Sequence, residues 1–338
     1  MSGFSHHRID ERPPCTKLGF CLTADLTGNG REDVIVGGAG EGFPGKGVVW
    51  EAERRGIPTA AFRSAVGIGE SNLFWYENPG FERHDISFTP SLDVGGAVGD
   101  ITGDGRPNVV AGQGIDNTEL YWFEPGPDPR DPWARHLITD RFEKYHDVTV
   151  ADIDDDGEPE VIGLSQESET VFYYDIPPEP QGSPWDDEYL HIVDEGRELE
   201  GVEVADIDGD GELEVVLSEG DSPHLGSHPG RVAWFDPPDW EETIIADGLF
   251  CPHSLEVEDF TGDGLPDIYV AEMGLGKHSD PRHFVFYNRG GRFERETVAT
   301  GIETHEAKVV DLTGSGQPDV VGKSYGPDHH VDVWFNRS

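Results

Sequence analysis

The chain has 338 residues, and its 68 Asp and Glu against 24 Lys and Arg give a formal net charge of -44. It has no basic stripe to neutralise phosphates and no apolar run long enough to span a bilayer, so neither nucleic acid nor membrane is expected as a partner. The three cysteines, Cys15, Cys21 and Cys251, lack C-x-x-C spacing and indicate neither a disulfide framework nor a thiolate zinc site.

The acids are spread over the whole chain instead of forming one block, and only six of the basic residues are lysines. This is the composition expected of a protein from a salt-accumulating halophile, where screening over ~3 Å in molar salt removes the self-repulsion. The rival reading is an acidic surface serving a cationic partner. The first residues, MSGFSHHRIDERPP, contain neither a basic n-region nor an apolar h-region, so the expected location is cytoplasmic.

In chain order, the first candidate strand is FSHHRID, Phe4 to Asp10. A phrase then returns six times: an apolar strand ending in Asp, a Gly-bearing acidic turn, and a second apolar strand. The copies are ADLTGNGREDVIVGG from Ala24, GDITGDGRPNVVAGQ from Gly99, ADIDDDGEPEVIGLS from Ala151, ADIDGDGELEVVLSE from Ala205, EDFTGDGLPDIYVAE from Glu258 and VDLTGSGQPDVVGKS from Val310. Their leading aspartates, Asp25, Asp100, Asp152, Asp206, Asp259 and Asp311, are 75, 52, 54, 53 and 52 residues apart. Units of about 50 residues with several strands each predict a propeller, because no unit can bury its own apolar face.

Each unit reads as four strands. The third gives HDVTVAD, EVIGLS, VFYYD and EYLHIV as strands a to d. Strand c keeps an aromatic beat (LFWYENP, LYWFEP, VAWFDPP, FVFYNRG, VDVWFN), which suits packing between blades. Strand d recurs five times for six units. FSHHRID has its pattern, so the N-terminal strand is expected to supply the outer strand of the last blade and remove the exposed edges. The expected fold is therefore all-β: one six-bladed β-propeller over residues 1–338, four antiparallel strands per blade, closed by the strand at about 4–10. The long first interval is expected to hold a loop insertion over about 39–72, with a helical turn at Trp50 to Arg55.

The a–b turns follow D-x-D-x-D-G-x-x-[DE], a spacing of hard oxygen ligands that suits Ca²⁺, or less well Mg²⁺. Two sets are complete: Asp152, Asp154, Asp156 and Glu160, then Asp206, Asp208, Asp210 and Glu214. The other four carry Thr27, Thr102, Thr261 or Thr313 at the third position and so fewer charges; their acidic and amide ligands are Asp25, Asn29 and Asp33; Asp100 and Asp104; Asp259, Asp263 and Asp267; Asp311 and Asp319. A plain Asp/Gly turn whose carboxylate caps backbone N–H groups needs no metal and is the alternative.

These repeats resemble the FG-GAP, or VCBS-type, repeats of calcium-binding β-propellers over essentially the whole chain. The inner-strand wording H-D-V-x-V-A-D-I-D with a W-F-E-N-P strand c is similar, more narrowly, to the propeller portion of aldos-2-ulose dehydratase and its prokaryotic relatives, although the cupin domains of the fungal enzyme have no counterpart in this sequence. That resemblance implies metal-assisted dehydration of keto sugars such as 1,5-anhydrofructose.

Six residues before each leading Asp stand Gly19, Val94, His146, Glu200, His253 and His305. Equivalent positions in a propeller lie at one height, so His146, Glu200, His253 and His305 form a candidate first shell for Zn²⁺, Mn²⁺ or Fe²⁺, on the face opposite the acidic turns. The b–c segments add His224, His228, His278, His283, His329 and His330 to that face. His84, His136 and His191 recur in strand d and are expected to be packing residues. Lys144, Tyr145, Glu272, Lys323 and Tyr325 fall at strand ends beside the histidines; each is a candidate acid or base or a solvated rim residue. The expected function is a sugar lyase working by β-elimination, with His146, Glu200, His253 and His305 holding the metal or one His acting as base, Tyr145 or Lys144 protonating the leaving group, and 39–72 forming a lid. The alternative is a non-catalytic, Ca²⁺-stabilised propeller that binds a protein or glycan.

Overall fold

The structure is a computed structural model describing residues 4–336 apart from 16, 40–70, 93, 115, 155, 197–200, 225–227, 239, 262, 275–276, 302–304, 316–318 and 324–330. The expected loop and helical turn within 39–72, and Glu200, Tyr325, His329 and His330, lie outside the described residues. The described residues form 24 strands in six four-stranded antiparallel sheets, the blades of an all-β propeller fold. Their single helical element is a short 3-10 turn at Asp187–Tyr189, and none of their helices is long and apolar enough to cross a membrane.

The chain divides into two compact units, Met1–Arg141 with Lys308–Ser338, and Phe142–Ala307. In the first, β2 (Lys17–Ala24), β3 (Asp33–Ala39), β4 (Leu73–Glu77) and β5 (Glu82–Ser87) form one sheet in that order, and β6 (Gly96–Gly99), β7 (Asn108–Gly112), β8 (Leu120–Glu124) and β9 (Ala134–Thr139) form the next. A third sheet takes its outer strand from the other end of the chain. Its order is β1 (Phe4–Asp10), β24 (Val331–Asn336), β23 (Asp319–Lys323) and β22 (Glu306–Val310), the last starting at the unit boundary. Phe4 stands opposite Asn336 and His7 opposite Val333. The N-terminal strand thus completes the last blade over the residues expected, because its alternating pattern matches strand d.

The second unit holds β10 (Tyr145–Ala151), β11 (Glu160–Ser165), β12 (Thr170–Asp175) and β13 (Leu190–Glu195); β14 (Gly201–Ala205), β15 (Glu214–Ser218), β16 (Gly230–Asp236) and β17 (Glu241–Leu249); and β18 (Pro252–Glu258), β19 (Asp267–Glu272), β20 (Arg282–Asn288) and β21 (Phe293–Thr300). Inner strands β10, β14 and β18 neighbour one another in succession. Asp147 accepts the N–H of Val202 at 2.8 Å, tying β10 to β14.

The strand c aromatics form the cores between blades. Trp75, Tyr121 and Phe123 bury with Phe20 and Ile35 in the first unit; Phe235 joins Val171 and Leu164, and Phe284 and Phe286 join Trp234 and Leu255, in the second. Each such side chain contributes roughly 1.5–3 kcal/mol on burial. Gly163 makes this packing possible, since a Cβ there would stand 2.5 Å from the Phe172 ring.

Candidate functional site

The inner strands have two chemically distinct ends. At one, the acidic turns are locked by their own carboxylates. Asp152 accepts the N–H groups of Asp156 at 3.1 Å and Gly157 at 2.9 Å, and Asp25, Asp100 and Asp259 do the same in their turns. Asp311 accepts the N–H of Ser315 at 3.0 Å. In the five turns where it is among the described residues, the sixth residue has a positive φ, from 79° at Gly30 to 96° at Gly211, which is why it is glycine. Asp104, like Asn29 and Asp263, accepts the N–H two residues on.

The ninth position is buried and accepts the N–H of the second: Asp33 from Leu26, Asn108 from Ile101, Glu160 from Ile153 and Glu214 from Ile207. Asp33 and Asp267 also accept from Asn78 and Asn288 at the ends of their strands c, and Asp319 is fully buried at the same place in the last turn. Burial, opposed by these hydrogen bonds and reinforced by neighbouring aspartates, pushes the carboxyl of Asp267 up, and those of Asp33, Glu214 and Glu160 to about 6, about 7 and about 8.

Two turns go further. The ligand atoms of Asp206, Asp208, Asp210 and Glu214 all lie within 4.8 Å of one another, as do those of Asp152, Asp154 and Asp156. Glu214 also keeps one buried carboxylate oxygen, Oε1, without a hydrogen-bond partner. Four converging oxygens with an unsatisfied one among them fit a hard divalent cation. In the third turn Glu160 stands outside the converging set and caps Ile153.

At the other end of the strands the histidines gather, all within Phe142–Ala307. Two of them are placed by a local irregularity. Tyr145 pairs with Ser165 and Asp147 with Leu164, so His146 is the extra residue of a β-bulge; Pro252 pairs with Glu272 and Ser254 with Ala271, so His253 is another. The same shift occurs at Gly19, between Leu18 and Phe20. A bulge releases one side chain from the alternation of the strand and re-aims it. Two residues before each bulged histidine the backbone is left-handed, φ 57° at Lys144 and 45° at Cys251, a conformation that costs a non-glycine residue about 1–3 kcal/mol.

The ring centroids of His146 and His253 are 5.2 Å apart, and those of His253 and His305 4.1 Å. His146 and His305 are buried, and His253 is half-buried between them. His253 Nδ1 lies 2.9 Å from the carbonyl oxygen of His305. A carbonyl can only accept, so Nδ1 carries the proton and Nε2 is the basic nitrogen of the neutral ring.

A polar chain of residues that the sequence reading does not assemble backs this cluster. Gln166, directly after β11, donates Nε2 to Asp221 Oδ2 at 3.3 Å, and its Oε1 is met by Lys144 Nζ. Asp221 lies in the turn after β15, which is fastened to the approach to β18: Cys251 N–H donates to Ser222 O at 2.7 Å, and Cys251 Sγ reaches Asp221 O at 3.5 Å. Burial opposes ionisation of Asp221, but His146 and His253, the Gln166 hydrogen bond and Lys144 outweigh it and hold the carboxyl below its ordinary range. In the sequence this segment is marked by His224 alone; Asp221 sits in irregular chain with no periodic signal.

Three expected participants stand elsewhere. Tyr145 is fully buried, its hydroxyl accepting the Phe142 N–H at 3.0 Å and its ring edge-on to Phe172. Packed between Phe142 and Phe172, it is a core residue and not the proton donor expected. Glu272 is spent on Arg282, whose Nε and Nη2 it binds at 2.9 and 2.6 Å, and on the N–H of Phe250. Lys323 donates to Leu18 O at 2.8 Å inside the first unit. Nor do the imidazoles meet the expectation of a converging metal shell: among the described residues, only the two acidic turns bring three or more ligand atoms within 4.8 Å of one another.

Of the remaining histidines, His84, His136 and His191 lie against Trp75, Trp122 and Tyr173 and pair with Glu77, Glu124 and Asp175, as expected of packing residues. His283 is on β20, not in the preceding loop, and meets the Tyr269 hydroxyl at 2.6 Å. His224 touches Lys277, His278 lies against Phe250, and His228 is exposed beside Glu219.

Residues 100–163 and 259–322 match the FG-GAP-like repeat. The chain carries FG-GAP-like repeats. No curated protein matches it. Among solved structures, it is similar to a candidate oxidoreductase (glucose dehydrogenase) from Thermus thermophilus, at 12% identity and a TM-score of 0.56, over 98% of this chain and 100% of that one. At that identity the likeness is one of fold.

Proposed function

We propose that the imidazole cluster of Phe142–Ala307 is the active site of a carbon–oxygen lyase that takes water or an alkoxide from a small carbohydrate by β-elimination. The observation that carries this reading is the contact among His146, His253 and His305, two of them aimed by bulges. Removing a proton α to a carbonyl requires a base with a pKa near neutrality, and the departing oxygen requires a proton donor. In this scheme Nε2 of His253 takes the proton, and a protonated His146 or His305 donates its proton to the substrate's leaving oxygen as the C–O bond breaks. Lys144 contributes positive charge beside them through Gln166 and Asp221.

The expected Zn²⁺, Mn²⁺ or Fe²⁺ would be held by His146, Glu200, His253 and His305 and would polarise the substrate carbonyl. The described imidazoles do not converge as such a shell requires, so the scheme assigns every proton transfer to the side chains. At the opposite end we propose Ca²⁺ in the Asp206–Glu214 turn and the Asp152–Asp156 turn, where it neutralises clustered carboxylates and stiffens the inner strands; the Thr-containing turns hold themselves by backbone capping.

The test is to incubate the purified protein with keto sugars of the 1,5-anhydrofructose type and follow the conjugated enone by ultraviolet absorbance. Turnover that is lost in His253→Ala supports the lyase. Absence of turnover, together with binding of glycans or a protein that survives the substitution, would support a non-catalytic scaffold instead.

A further inference from the structure

We propose that a cavity in the β12–β13 connection receives the guanidinium of an arginine side chain presented by a partner protein. Residues 176–189 separate β12 from β13, whereas 78–81, 237–240 and 289–292 make the same connection in three other blades. The longer segment is folded on itself. Gly182 N–H donates to Glu179 O at 3.0 Å and Tyr189 N–H to Asp186 O at 3.1 Å, while the buried Trp185 donates its indole N–H to Pro180 O at 2.9 Å and stands edge-on to Tyr174. It encloses a cavity of about 340 Å³, within the size range of ligand sites.

Pro177, Pro184, Trp185 and Tyr189 give this cavity apolar and aromatic walls, and Glu179 and Asp186 are its two carboxylates. Both acids are exposed, and among the described residues neither carboxylate meets a hydrogen-bond donor or a cation. Asp186 stands at the N-cap of the 3-10 turn Asp187–Tyr189, yet its side chain makes no capping hydrogen bond. Aromatic faces beside unspent carboxylates suit a flat, weakly hydrated cation better than a compact ammonium or any anion.

The β8–β9 connection, residues 125–133, shows what the same frame holds. There the turn Asp128-Pro129-Arg130-Asp131 closes with the Asp131 N–H on Asp128 O at 3.1 Å, and Trp133 donates its indole N–H to Pro129 O at 2.8 Å. Glu179-Pro180-Gln181-Gly182 and Trp185 repeat the arrangement: acid first, proline second, and the indole on the proline carbonyl. The third position of the earlier turn is Arg130, whose guanidinium binds Asp128 Oδ1 at 3.1 Å and Glu77 through Nε and Nη2 at 2.8 and 2.5 Å. The third position of the later turn is Gln181, so Glu179 holds the place of Asp128 without an arginine of its own. In a chain with 68 acidic and 24 basic residues, the cation for that place comes from outside. It belongs to a protein and not to free arginine, because the α-carboxylate of the amino acid would meet the repulsion of Asp186, Asp187 and Glu188.

The experiment follows the Trp185 indole N–H by ¹H–¹⁵N NMR of the full chain, assigned with Trp185→Phe, while acetyl-Ala-Arg-Ala-amide is added in the lowest KCl concentration at which the protein is folded. The expected result is a saturating shift with a dissociation constant on the order of 1 mM, and none with the citrulline peptide, which keeps the shape of arginine without its charge. Glu179→Gln/Asp186→Asn should weaken binding roughly fivefold. Gln181→Arg, which installs the arginine of the earlier turn, should abolish it. Both variants change exposed side chains, and an unmoved Trp133 indole resonance shows that the fold is kept. No saturating shift, an equal response to the citrulline peptide, or unchanged affinity in the two variants would overturn the proposal. Free arginine binding as tightly as the peptide would overturn the assignment to a protein. Elimination activity does not enter the measurement, so its outcome is independent of the lyase reading.

Discussion

At one end of β10 the chain turns through Asp152, Asp154 and Asp156; at the other, roughly 20 Å along the strand, it reaches the bulged His146. The acidic end repeats almost unchanged in every blade. Its carboxylates accept backbone N–H groups, and in two turns they also converge within 4.8 Å of one another. The histidine end differs from blade to blade, breaks strand register, and holds two non-glycine residues in left-handed backbone. A repeat that satisfies its own groups supports the fold. Strain combined with polar side chains drawn from different blades is where a fold departs from self-consistency for function.

Glu272 would sharpen the comparison most, because it lies opposite Pro252, next to the histidines, yet is fully buried on Arg282. Burial opposes its ionisation, but the Arg282 guanidinium and two N–H groups hold its carboxyl below the ordinary range. Glu272→Ala should cost about 3 kcal/mol in denaturant unfolding, since it leaves those donors unpaired. A loss under about 1 kcal/mol would mean that the carboxylate is not structural.

Chelation probes the acidic end. Glu160 and Glu214 have folded-state pKa values raised to about 8 and about 7, above their unfolded values. The stability associated with their protonated forms is present below pH ~4.5 and is lost as pH rises through those values. In EDTA and molar KCl, the melting temperature should therefore fall between about pH 5 and pH 8.5, less steeply in a Glu160→Gln/Glu214→Gln double variant. Ca²⁺ should restore wild type, because ionised Glu214 is one of the ligands proposed for it. Identical slopes in the two proteins, or no response to Ca²⁺, would contradict this account.

The smallest effect is expected from the outer strands. His136 stacks on Trp122 at 4.3 Å and pairs with Glu124 at 3.1 Å on a half-exposed surface. His136→Ala should cost about 1 kcal/mol and leave the imidazole cluster unaffected. A change in turnover would show that the two histidine populations are not independent.

The blades were legible because Asp, Gly and the strand c aromatics recur at a period near 50 residues, and even β1 was assigned from its likeness to strand d. The histidine set was legible for the same reason, as a fixed offset from a repeated aspartate. Bulges were not: a period-two pattern cannot show where one residue is extra. Tyr145 illustrates a different error, since its hydroxyl and ring are engaged by Phe142 and Phe172, a packing that its place beside His146 in the sequence does not reveal. Asp221 and Gln166 lie in irregular turns whose placement depends on Cys251 and Lys144, long-range contacts that no local pattern encodes.

The most direct measurement of the division between the two ends is elimination activity on keto sugars in two variants, His253→Ala and Glu214→Gln, against wild type. The account predicts a loss of roughly 10²–10⁴-fold for His253→Ala and near-wild-type turnover, with lower thermal stability, for Glu214→Gln. Turnover that is insensitive to His253 or abolished with Glu214 in a folded protein would contradict it.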